Sequence, residues 1–374
     1  PEEVVGAPET KTKRQVKNIF MELPDSSDLD GRGIHQSILE VYEKFANVQE
    51  GLLRLTANSE WGLQIEDQEN GDRFFNYPFA YAYALMLGEI AGLIAGTNIN
   101  ALSSDSDIVT VAAFGIDNTI PVLGSIEGIT ASLKQYKQFD YYLVNHFLDL
   151  DGSKFSTSRR HAIWVDDAIN KLGASSDIIR LYLATIDIRT GTGNVSGQEL
   201  LEFYNQTIDW IENRVVDGVA ELAVALREDE ESKALQAPGG IVSPEQTLKL
   251  PGSADELLLE TLATLLVKME DALNPENYRL FDAVKAIDEW LDFGASISKN
   301  SQDYFWWLKG LVLLVYPFMP RLGETLWITL GYSGEPRIAN FTALPAESIQ
   351  QHLPTNLRRL TQADVDQLSG VTIS

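Results

Sequence analysis

The segment between residues 108 and 150 does most to limit the fold of this chain. The apolar stretch IVTVAAFG at 108–115 is rich in β-branched residues, and helical apolar spacing follows over 122–136. A second apolar stretch, YYLVNHFLDL at 141–150, returns to a strand pattern. Strand, helix and strand in this order predict two parallel strands joined by a helical crossover, which is the unit of an α/β fold.

The pattern along the rest of the chain separates a mixed region from a helical one. Further strands are predicted at 17–23, 60–67 and 72–77, and further helices over 34–55 and 80–96. From residue 197 onward, helical spacing recurs over 198–228, 253–273, 276–298 and 303–331. We therefore predict an α/β portion over 1–150, a connecting segment over 151–196, a helical bundle over 197–345 and an irregular tail over 346–374.

The charge of the chain disfavours broad binding to nucleic acid. Its 374 residues include 54 acidic and 29 basic side chains, which give a formal net charge of −25. Affinity for nucleic acid comes largely from Lys and Arg that neutralise phosphates. The composition therefore favours a soluble globular protein and leaves room only for a local basic site.

Composition also limits metal chemistry and location. The chain has no cysteine, and its four histidines are not closely spaced, so we expect no zinc site. The apolar stretch 79–96 contains Glu89 and is not expected to span a membrane. No signal peptide is visible, so we expect a cytoplasmic protein. The chain begins with Pro1, and we expect further sequence upstream of it.

The basic segment KFSTSRR at 154–160 stands out in so acidic a chain. It places three cations beside three hydroxyl side chains, directly after the second strand of the parallel pair. Such donors on a mobile loop can stabilise negative charge that develops on phosphate in a transition state. Taken alone, the segment fits a solvated basic turn better than a catalytic loop.

The surroundings of this segment favour the catalytic interpretation. The stretch DLDGSKFSTSRRHAIWVDDAINKLGASSDIIRLYLATI resembles the Lys-x-Ser-x-Ser signature region of class I aminoacyl-tRNA synthetases, most closely the methionyl-tRNA synthetase-like group. FGID at 114–117 resembles the Gly-x-Asp turn that binds adenosine ribose in that family. WGLQI at 61–65 and DRFFNY at 72–77 resemble its strands around the amino-acid pocket. PENYRLFDAVKAIDEWLDF and LVLLVYPFMPRLGETLWITLG resemble its anticodon-binding helices.

The resemblance runs over almost all of residues 1–345 in consistent order. It implies a partial Rossmann-type nucleotide-binding fold followed by an anticodon-binding-type helical bundle. It also implies activation of an amino acid by ATP, with Mg²⁺ as the counter-ion, and transfer from the adenylate to tRNA or another acceptor. The implied roles are pyrophosphate stabilisation by Lys154, Ser156 and Ser158, ribose binding by Gly115 and Asp117, and an amino-acid pocket lined by Tyr77 and Phe79.

Departures from the family pattern keep other functions open. The His-x-Gly-His motif that contacts ATP in the family does not occur in this sequence, and Thr157 replaces the second lysine of the signature. Tyr77 stands where the family has tryptophan, and Phe79 stands where it has an acid. One alternative is an inactive paralogue that acts as a scaffold or partner subunit. Another is a tRNA-independent amino-acid ligase.

The same departures shape the expected partners. An amino acid is expected, and a protein partner would supply the N-terminal half that carries the missing motif, whereas the acidity disfavours tRNA. NSQDYFWWLKG replaces the family's anticodon-reading segment. Trp306 and Trp307 could lie near that position, but packing inside the bundle is the favoured interpretation.

Overall fold

The computed structural model describes residues 18–64, 72–75, 77–155, 161–236, 252–345 and 349–368. These residues form two compact units. Unit 1 comprises the described residues up to Phe147 together with Ile188–Gly191 and Pro275–Tyr278. Unit 2 comprises the described residues of Leu148–Asp187 and Thr192–Asn274 and those from Arg279 onward. The first boundary falls close to the predicted end of the α/β portion, and unit 2 takes in most of the connecting segment and of the bundle, together with the tail.

Unit 1 alternates short strands with helices. In chain order these are β1 (Phe20–Glu22), α1 (Gln36–Val48), β2 (Leu52–Arg54), β3 (Thr56–Asn58), β4 (Leu63–Gln64), β5 (Asp72–Phe74), α2 (Tyr77–Ile94), β6 (Val111–Gly115), α3 (Glu127–Ser132) and β7 (Tyr141–Asn145). β1 pairs antiparallel with β2, and β5 lies antiparallel between β3 and β4. β6 and β7 are parallel, in register from Val111↔Tyr141 to Gly115↔Asn145. The predicted parallel α/β unit is confirmed.

One helical prediction and two strand predictions in unit 1 required correction. The helix predicted over 34–55 ends at Val48, because Glu50 and Gly51 both adopt left-handed backbone angles, with φ of 54° and 74°. The chain then turns back as β2. β4 and β5 cover only part of the strands predicted at 60–67 and 72–77, and residues 65–71 and 76 lie outside the described part of the chain.

The strand predicted over 141–150 is two strands in different units. β7 ends at Asn145, and the next strand begins at Leu148. Between them the backbone leaves the parallel pair, because the His146 N–H donates to the Ile188 carbonyl at 2.6 Å. Asn145 Nδ2 also donates to the His146 carbonyl at 2.9 Å. An apolar pattern predicts extended backbone but not which sheet each half joins.

Unit 2 is predominantly helical. In chain order it contains β8 (Leu148–Leu150), β9 (Ser153–Lys154), α4 (Ser176–Ala184), β10 (Gly193–Val195), α5 (Gly197–Trp210), α6 (Asp217–Gln236), α7 (Glu256–Leu273), α8 (Leu280–Phe293), α9 (Gln302–Val315), α10 (Pro320–Thr329) and α11 (Gln362–Leu368). The three strands form one small sheet in the order β10-β8-β9. The fold class, an α/β portion followed by a helical region, is confirmed.

Tryptophans organise the core of the bundle. Trp290 and Trp307 are fully buried, and each indole Nε1 donates to the backbone carbonyl of the other residue at 3.0 Å. Trp306 is also buried, and its Nε1 donates to the Gly252 carbonyl at 2.8 Å. Both tryptophans of the FWW sequence therefore pack inside the bundle, which confirms the favoured interpretation.

The C-terminal part of unit 2 differs from the prediction in two places. The helix predicted over 303–331 is divided into α9 and α10 near Pro317 and Pro320, because proline has no N–H for the helical ladder. The tail expected to be irregular contains α11 and buries Leu353 and Leu360. Asn205 fixes it by donating to the Leu360 carbonyl at 2.9 Å and accepting from the Leu360 N–H at 3.1 Å.

Candidate functional site

Gly115 and Asp117 lie where a parallel strand ends. Gly115 is the last residue of β6, and Asp117 follows in a single 3-10 turn, Ile116–Asn118. The Asp117 side chain is exposed, and its Oδ1 accepts from Asn118 Nδ2 at 3.4 Å. A Cβ on Gly115 would lie 2.7 Å from Asp117 Oδ1, so a side chain at residue 115 would displace the carboxylate. The carboxyl ends of parallel strands are where α/β folds bind nucleotides.

The start of α2 is tied to the segment that follows this turn. Thr119 Oγ1 donates to the Ile116 carbonyl at 2.6 Å, and a π-helical turn then runs over Ile120–Ile126. Within that turn, Ser125 Oγ donates to the Tyr77 carbonyl at 2.9 Å. Tyr77 is the first residue of α2 and is half-buried. A hydrogen bond thus joins Tyr77, a candidate pocket residue, to the helical turn that begins three residues after Asp117.

Phe79, two residues after Tyr77 in α2, forms an aromatic pair with Trp61. The rings of Trp61 and Phe79 lie 5.2 Å apart between centroids, tilted at 47°. Gly62 sets the position of Trp61, because its φ of 122° suits glycine and a Cβ there would collide with the Phe74 carbonyl. Trp61 is 64% exposed, so its ring can contact a ligand. The sequence placed WGLQI near the pocket but did not single out Trp61.

Lys154 belongs to a hairpin rather than a loop. β8 and β9 pair antiparallel, with Leu150 opposite Ser153 and Asp149 opposite Lys154. The two residues at the turn, Asp151 and Gly152, have φ of 47° and 73°, the backbone of a two-residue Asp-Gly hairpin. The Lys154 side chain is exposed. Ser156 and Ser158 lie outside the described residues, so only the first residue of the predicted trio is placed.

Three hydrogen bonds fix the turn of this hairpin. The Asp151 N–H donates to the Val195 carbonyl at 2.8 Å, and the Gly152 N–H donates to Asn194 Oδ1 at 2.7 Å. Asp151 Oδ1 accepts from the Gly197 N–H, at the start of α5, at 3.0 Å. Lys154 therefore lies in a strand two residues after a turn that is anchored to β10 and to the N-terminus of α5.

A serine between two histidines lies beside the same end of the parallel pair. Ser37 Oγ lies 2.8 Å from His35 Nδ1 and 2.8 Å from His146 Nε2. His146 follows Asn145, whose register partner is Gly115. The sequence suggested a strand position for His146. The contact was missed because the residues that form it are far apart in the chain.

Asp117 in unit 1 and Lys154 in unit 2 each have chemistry that suits one part of an ATP molecule. The exposed Asp117 carboxylate can accept hydrogen bonds from ribose hydroxyls, and the bare Gly115 leaves room beside it. The Lys154 ammonium suits phosphate oxygens. Among the described residues, no three His, Asp or Glu side chains are grouped as metal ligands. Mg²⁺ that accompanies ATP is held largely by phosphates and water, so it needs few ligands from the protein.

Comparison with known proteins relates this architecture to the class I synthetases. A family model described as tRNA synthetases class I (M) matches residues 125–215. This match includes Lys154 but not Gly115, Asp117, Tyr77 or Phe79. The methionine–tRNA ligase of Pyrococcus horikoshii is 28% identical over 221 residues, which cover 54% of this chain and 28% of the relative.

A second relative and a solved structure extend the similarity. The leucine–tRNA ligase of Pyrobaculum neutrophilum is 23% identical over 216 residues, covering 55% of this chain and 19% of the relative. The structure of Mycobacterium tuberculosis methionyl-tRNA synthetase in complex with methionyl-adenylate superposes with a TM-score of 0.55 at 15% identity. That match covers 86% of this chain and 62% of the other. The chain thus matches less than a third of the length of these two ligases.

Proposed function

Because the chain is a divergent class I synthetase-like protein, we propose that it activates an amino acid with ATP. In this reaction a carboxylate oxygen of the amino acid bonds to the α-phosphorus, and the bond to the β-phosphate breaks. The products are an aminoacyl-adenylate and pyrophosphate. The aminoacyl group then passes to tRNA or another acceptor, and we propose that this takes place in the cytoplasm.

The position of Asp117 carries this proposal. Its exposed carboxylate follows directly from a parallel strand, beside a glycine that has no side chain to block approach. In α/β folds this edge of the sheet receives the sugar and phosphates of nucleotides. Asp117 would hold the ribose hydroxyls while Gly115 allows the sugar to lie against the backbone. A buried carboxylate, or one at the opposite end of the strand, would not support such a role.

Lys154 would stabilise pyrophosphate as it leaves. Negative charge grows on the β- and γ-phosphates as the bond breaks, and a positioned ammonium lowers the energy of that state. The anchored Asp-Gly turn supports this assignment, because a donor on a fixed backbone loses little entropy when it binds phosphate. Ser156 and Ser158 would add hydroxyl donors.

The proposed amino-acid pocket is aromatic. Tyr77 and Phe79 lie in the first turn of α2, and Trp61 contacts Phe79. An apolar side chain would bury its surface against these rings. The pocket has Phe79 where the resemblance predicts an acid, which favours an apolar substrate over a polar one.

The charge on the surface of unit 2 affects which acceptor can receive the aminoacyl group. We propose that the helices of unit 2 form an anticodon-binding type of bundle, yet several of their cations already pair with acids. Lys268 Nζ lies 2.7 Å from Glu289, and Lys299 Nζ lies 3.1 Å from Glu221. Such pairs leave less free positive charge for phosphates. Weak tRNA binding, or a smaller acceptor, is favoured.

A second candidate function is that of an inactive partner subunit. The observation in its favour is the sequence itself, in which none of the four histidines forms a His-x-Gly-His motif. The remaining contacts to ATP would then have to come from another polypeptide segment. Activity in the natural polypeptide distinguishes the two candidates.

The test is ATP–pyrophosphate exchange on the natural polypeptide, with each of the twenty amino acids in turn. We expect exchange that depends on one amino acid or a few. Lys154→Ala should lower the rate by about 10²–10³-fold, the usual loss of one preorganised donor, with little change in amino-acid binding. Lys268→Ala removes an exposed lysine of the bundle and should leave the rate unchanged. No exchange with any amino acid would favour the inactive subunit.

Asp117→Asn tests the ribose assignment in the same assay. We expect a raised KM for ATP, because an amide accepts hydrogen bonds from hydroxyls less strongly than a carboxylate does. Asp107→Asn, an exposed residue before the other end of β6, is the matched control. Equal KM values for the two variants would remove Asp117 from the site.

A further inference from the structure

A polar cavity lies beside the amino ends of the two parallel strands in unit 1. Its volume is about 490 Å³, which is within the range of small-molecule sites. It is lined by Arg32 and by residues between Thr130 and Asp140, which lead from α3 into β7. The proposed ribose site follows Gly115, at the opposite end of the same strands. The proposed function therefore makes no use of this cavity.

The charge around this cavity is opposite in sign to that of the chain. Of the residues that line it, Arg32, Lys134 and Lys137 are basic and Asp140 is acidic. In the whole chain, acidic residues outnumber basic ones by 54 to 29. Cations around one concave surface repel one another, and an anion that binds among them relieves that repulsion. The cavity therefore favours a ligand with negative charge.

Asp140 offsets the charge of Lys137 and joins the starts of the two strands. Its Oδ2 accepts from the Thr110 N–H at 2.7 Å and from Thr110 Oγ1 at 2.9 Å. Lys137 Nζ donates to the same oxygen at 2.9 Å and to the Ile108 carbonyl at 2.7 Å. Lys137 and Asp140 together carry no net charge. The positive charges of Arg32 and Lys134 are therefore the ones that the lining residues leave for a ligand.

Arg32 is held in place by contacts to the segment before β7. Its Nη1 donates to the Phe139 carbonyl at 2.9 Å, and its Nη2 donates to Gln138 Oε1 at 2.8 Å. The Arg32 carbonyl also accepts from the Tyr142 N–H at 2.8 Å. A guanidinium has five N–H groups, so these two side-chain contacts leave donors for a ligand. Its planar fork suits two oxygens of one phosphate or carboxylate.

Lys134 supplies a second donor. Its side chain is exposed, and its ammonium pairs with no residue in the part of the chain that the structure describes. We propose that the cavity binds the dianionic phosphoryl group of a small molecule, held by Arg32 and Lys134. The charge of a phosphate monoester near neutral pH approaches −2, which matches these two cations. A carboxylate would leave one of them uncompensated.

A nucleic acid fits this cavity less well than a small molecule does. Each phosphodiester carries a single charge, and the field of a chain with net charge −25 repels a polyanion. Free phosphate and an organic phosphate monoester share the proposed chemistry. The experiment therefore uses one probe of each kind.

Isothermal titration calorimetry with inorganic phosphate and with phenyl phosphate tests the proposal, at about pH 7.5, where both probes are mostly dianionic. The natural polypeptide carries Lys154→Ala, which removes the donor proposed for pyrophosphate. We expect saturable binding of phosphate and of phenyl phosphate. Equal affinities would show that free phosphate is sufficient, whereas tighter binding of phenyl phosphate would show that the organic part also contributes. Benzoate, which has one charge, should bind at least about tenfold more weakly than phenyl phosphate.

Matched lysine variants locate the binding. Lys134→Gln should weaken the affinity for phenyl phosphate by about three- to fivefold, the effect of one exposed charge. Lys44→Gln removes an exposed lysine of α1 that does not line the cavity, so the affinity should hold. Arg32→Gln should weaken binding by about tenfold or more. Because Arg32 also holds Gln138 and Phe139, the Lys134 variant decides the test if the Arg32 variant does not fold.

Three results would overturn the proposal. They are no saturable binding of either phosphate probe, equal losses for Lys134→Gln and Lys44→Gln, and benzoate that binds as tightly as phenyl phosphate. Displacement of phenyl phosphate by a short single-stranded oligonucleotide at micromolar concentration would assign the cavity to nucleic acid and reject a small molecule. Pyrophosphate exchange is measured separately, on the polypeptide that retains Lys154, so its failure would leave this result unchanged.

Discussion

Helices α2 and α9 are both strongly apolar, yet they have opposite environments. Every residue of α9 from Tyr304 to Val315 is buried, whereas α2 buries only Tyr81, Ala84, Gly88 and Gly92. A helix that is apolar on all sides is stable only when other elements cover all sides. The other helices of unit 2 supply that cover for α9. The described residues of unit 1 bury only one face of α2, which carries Tyr81 and three small residues.

This contrast separates a densely packed unit from one whose described residues leave much of α2 exposed. In unit 2 the main hydrophobic cluster is continuous and includes fully buried Trp290, Trp307 and Trp327. In unit 1 the core is split into two smaller clusters, one beneath α1 and one beneath α2. The residues proposed to bind ribose and the amino acid lie in the less complete unit. The proposed function accordingly depends on what covers that unit.

The largest expected effect of a single substitution is in the bundle. Trp307→Ala should lower the free energy of unfolding of unit 2 by about 3–5 kcal/mol, because it leaves a large cavity and removes the Trp290 hydrogen bond. Leu93→Ala, on the exposed side of α2, should change stability by less than about 0.5 kcal/mol. Urea unfolding followed by circular dichroism at 222 nm measures both. Equal losses would erase the contrast between the units.

A buried carboxyl in unit 1 gives the next effect. Glu127 in α3 is fully buried, and its Oε1 accepts only a long hydrogen bond of 3.5 Å from the Phe139 N–H. Burial raises the pKa of Glu127 to about 7, although Tyr142, the Phe139 N–H and Arg32 oppose the shift. Because the folded-state pKa is raised, its contribution to stability is complete below about pH 4.5 and is lost as pH rises through about 7.

Glu127→Gln should remove this loss. Relative to the parent chain, the variant should gain up to about 3 kcal/mol of stability between pH 4.5 and pH 8. Thermal unfolding of unit 1 at a series of pH values measures the difference. Glu22→Gln, at the exposed last residue of β1, controls for the loss of one carboxylate. A stability difference that does not vary with pH would contradict the assignment.

The sequence was sufficient where local signals coincide with the fold. β-branched content located β6, and the Gly-x-Asp pattern placed Asp117 just beyond its end. The Asp-Gly pair of residues 151–152 is a strong hairpin signal, yet the apolar run 141–150 hid the break at His146. Whether an extended segment joins one sheet or another depends on distant partners such as Ile188, which no local pattern contains.

Contacts across the chain explain what else was missed. The Trp61–Phe79 contact depends on the left-handed turn at Gly62 and on β4 pairing with β5. The order inside the tail depends on Asn205, more than a hundred residues earlier. By contrast, the break between α9 and α10 was readable from Pro317 and Pro320. The apolar periodicity continues across both prolines, and it predicts a single helix over 303–331 where the structure has two.

A smaller expected effect concerns the affinity for tRNA, which depends on the positive charge available on the surface of unit 2. We expect methionine tRNA to bind weakly and without anticodon discrimination, because cations such as Arg359 already pair with acids, here Asp209 and Glu212. Each phosphate contact lowers log affinity by roughly 0.7–0.9 per unit of log salt, so the salt dependence should be shallow. Filter binding with native and anticodon-swapped tRNA measures this. Submicromolar affinity lost on swapping would show that the bundle reads the anticodon.

Amide hydrogen exchange on the 374-residue chain compares the two units most directly. In α9, the amides of Leu308 and Leu311 should exchange only through global unfolding of the bundle, because they lie in its core. The amides of Val111 and Ala113 should exchange close to the rate of unstructured peptide, because they point away from β7 to an edge of β6 that pairs with no strand of the described residues. Equal, strong protection at all four amides would contradict the account, since unit 1 would then be as complete as unit 2.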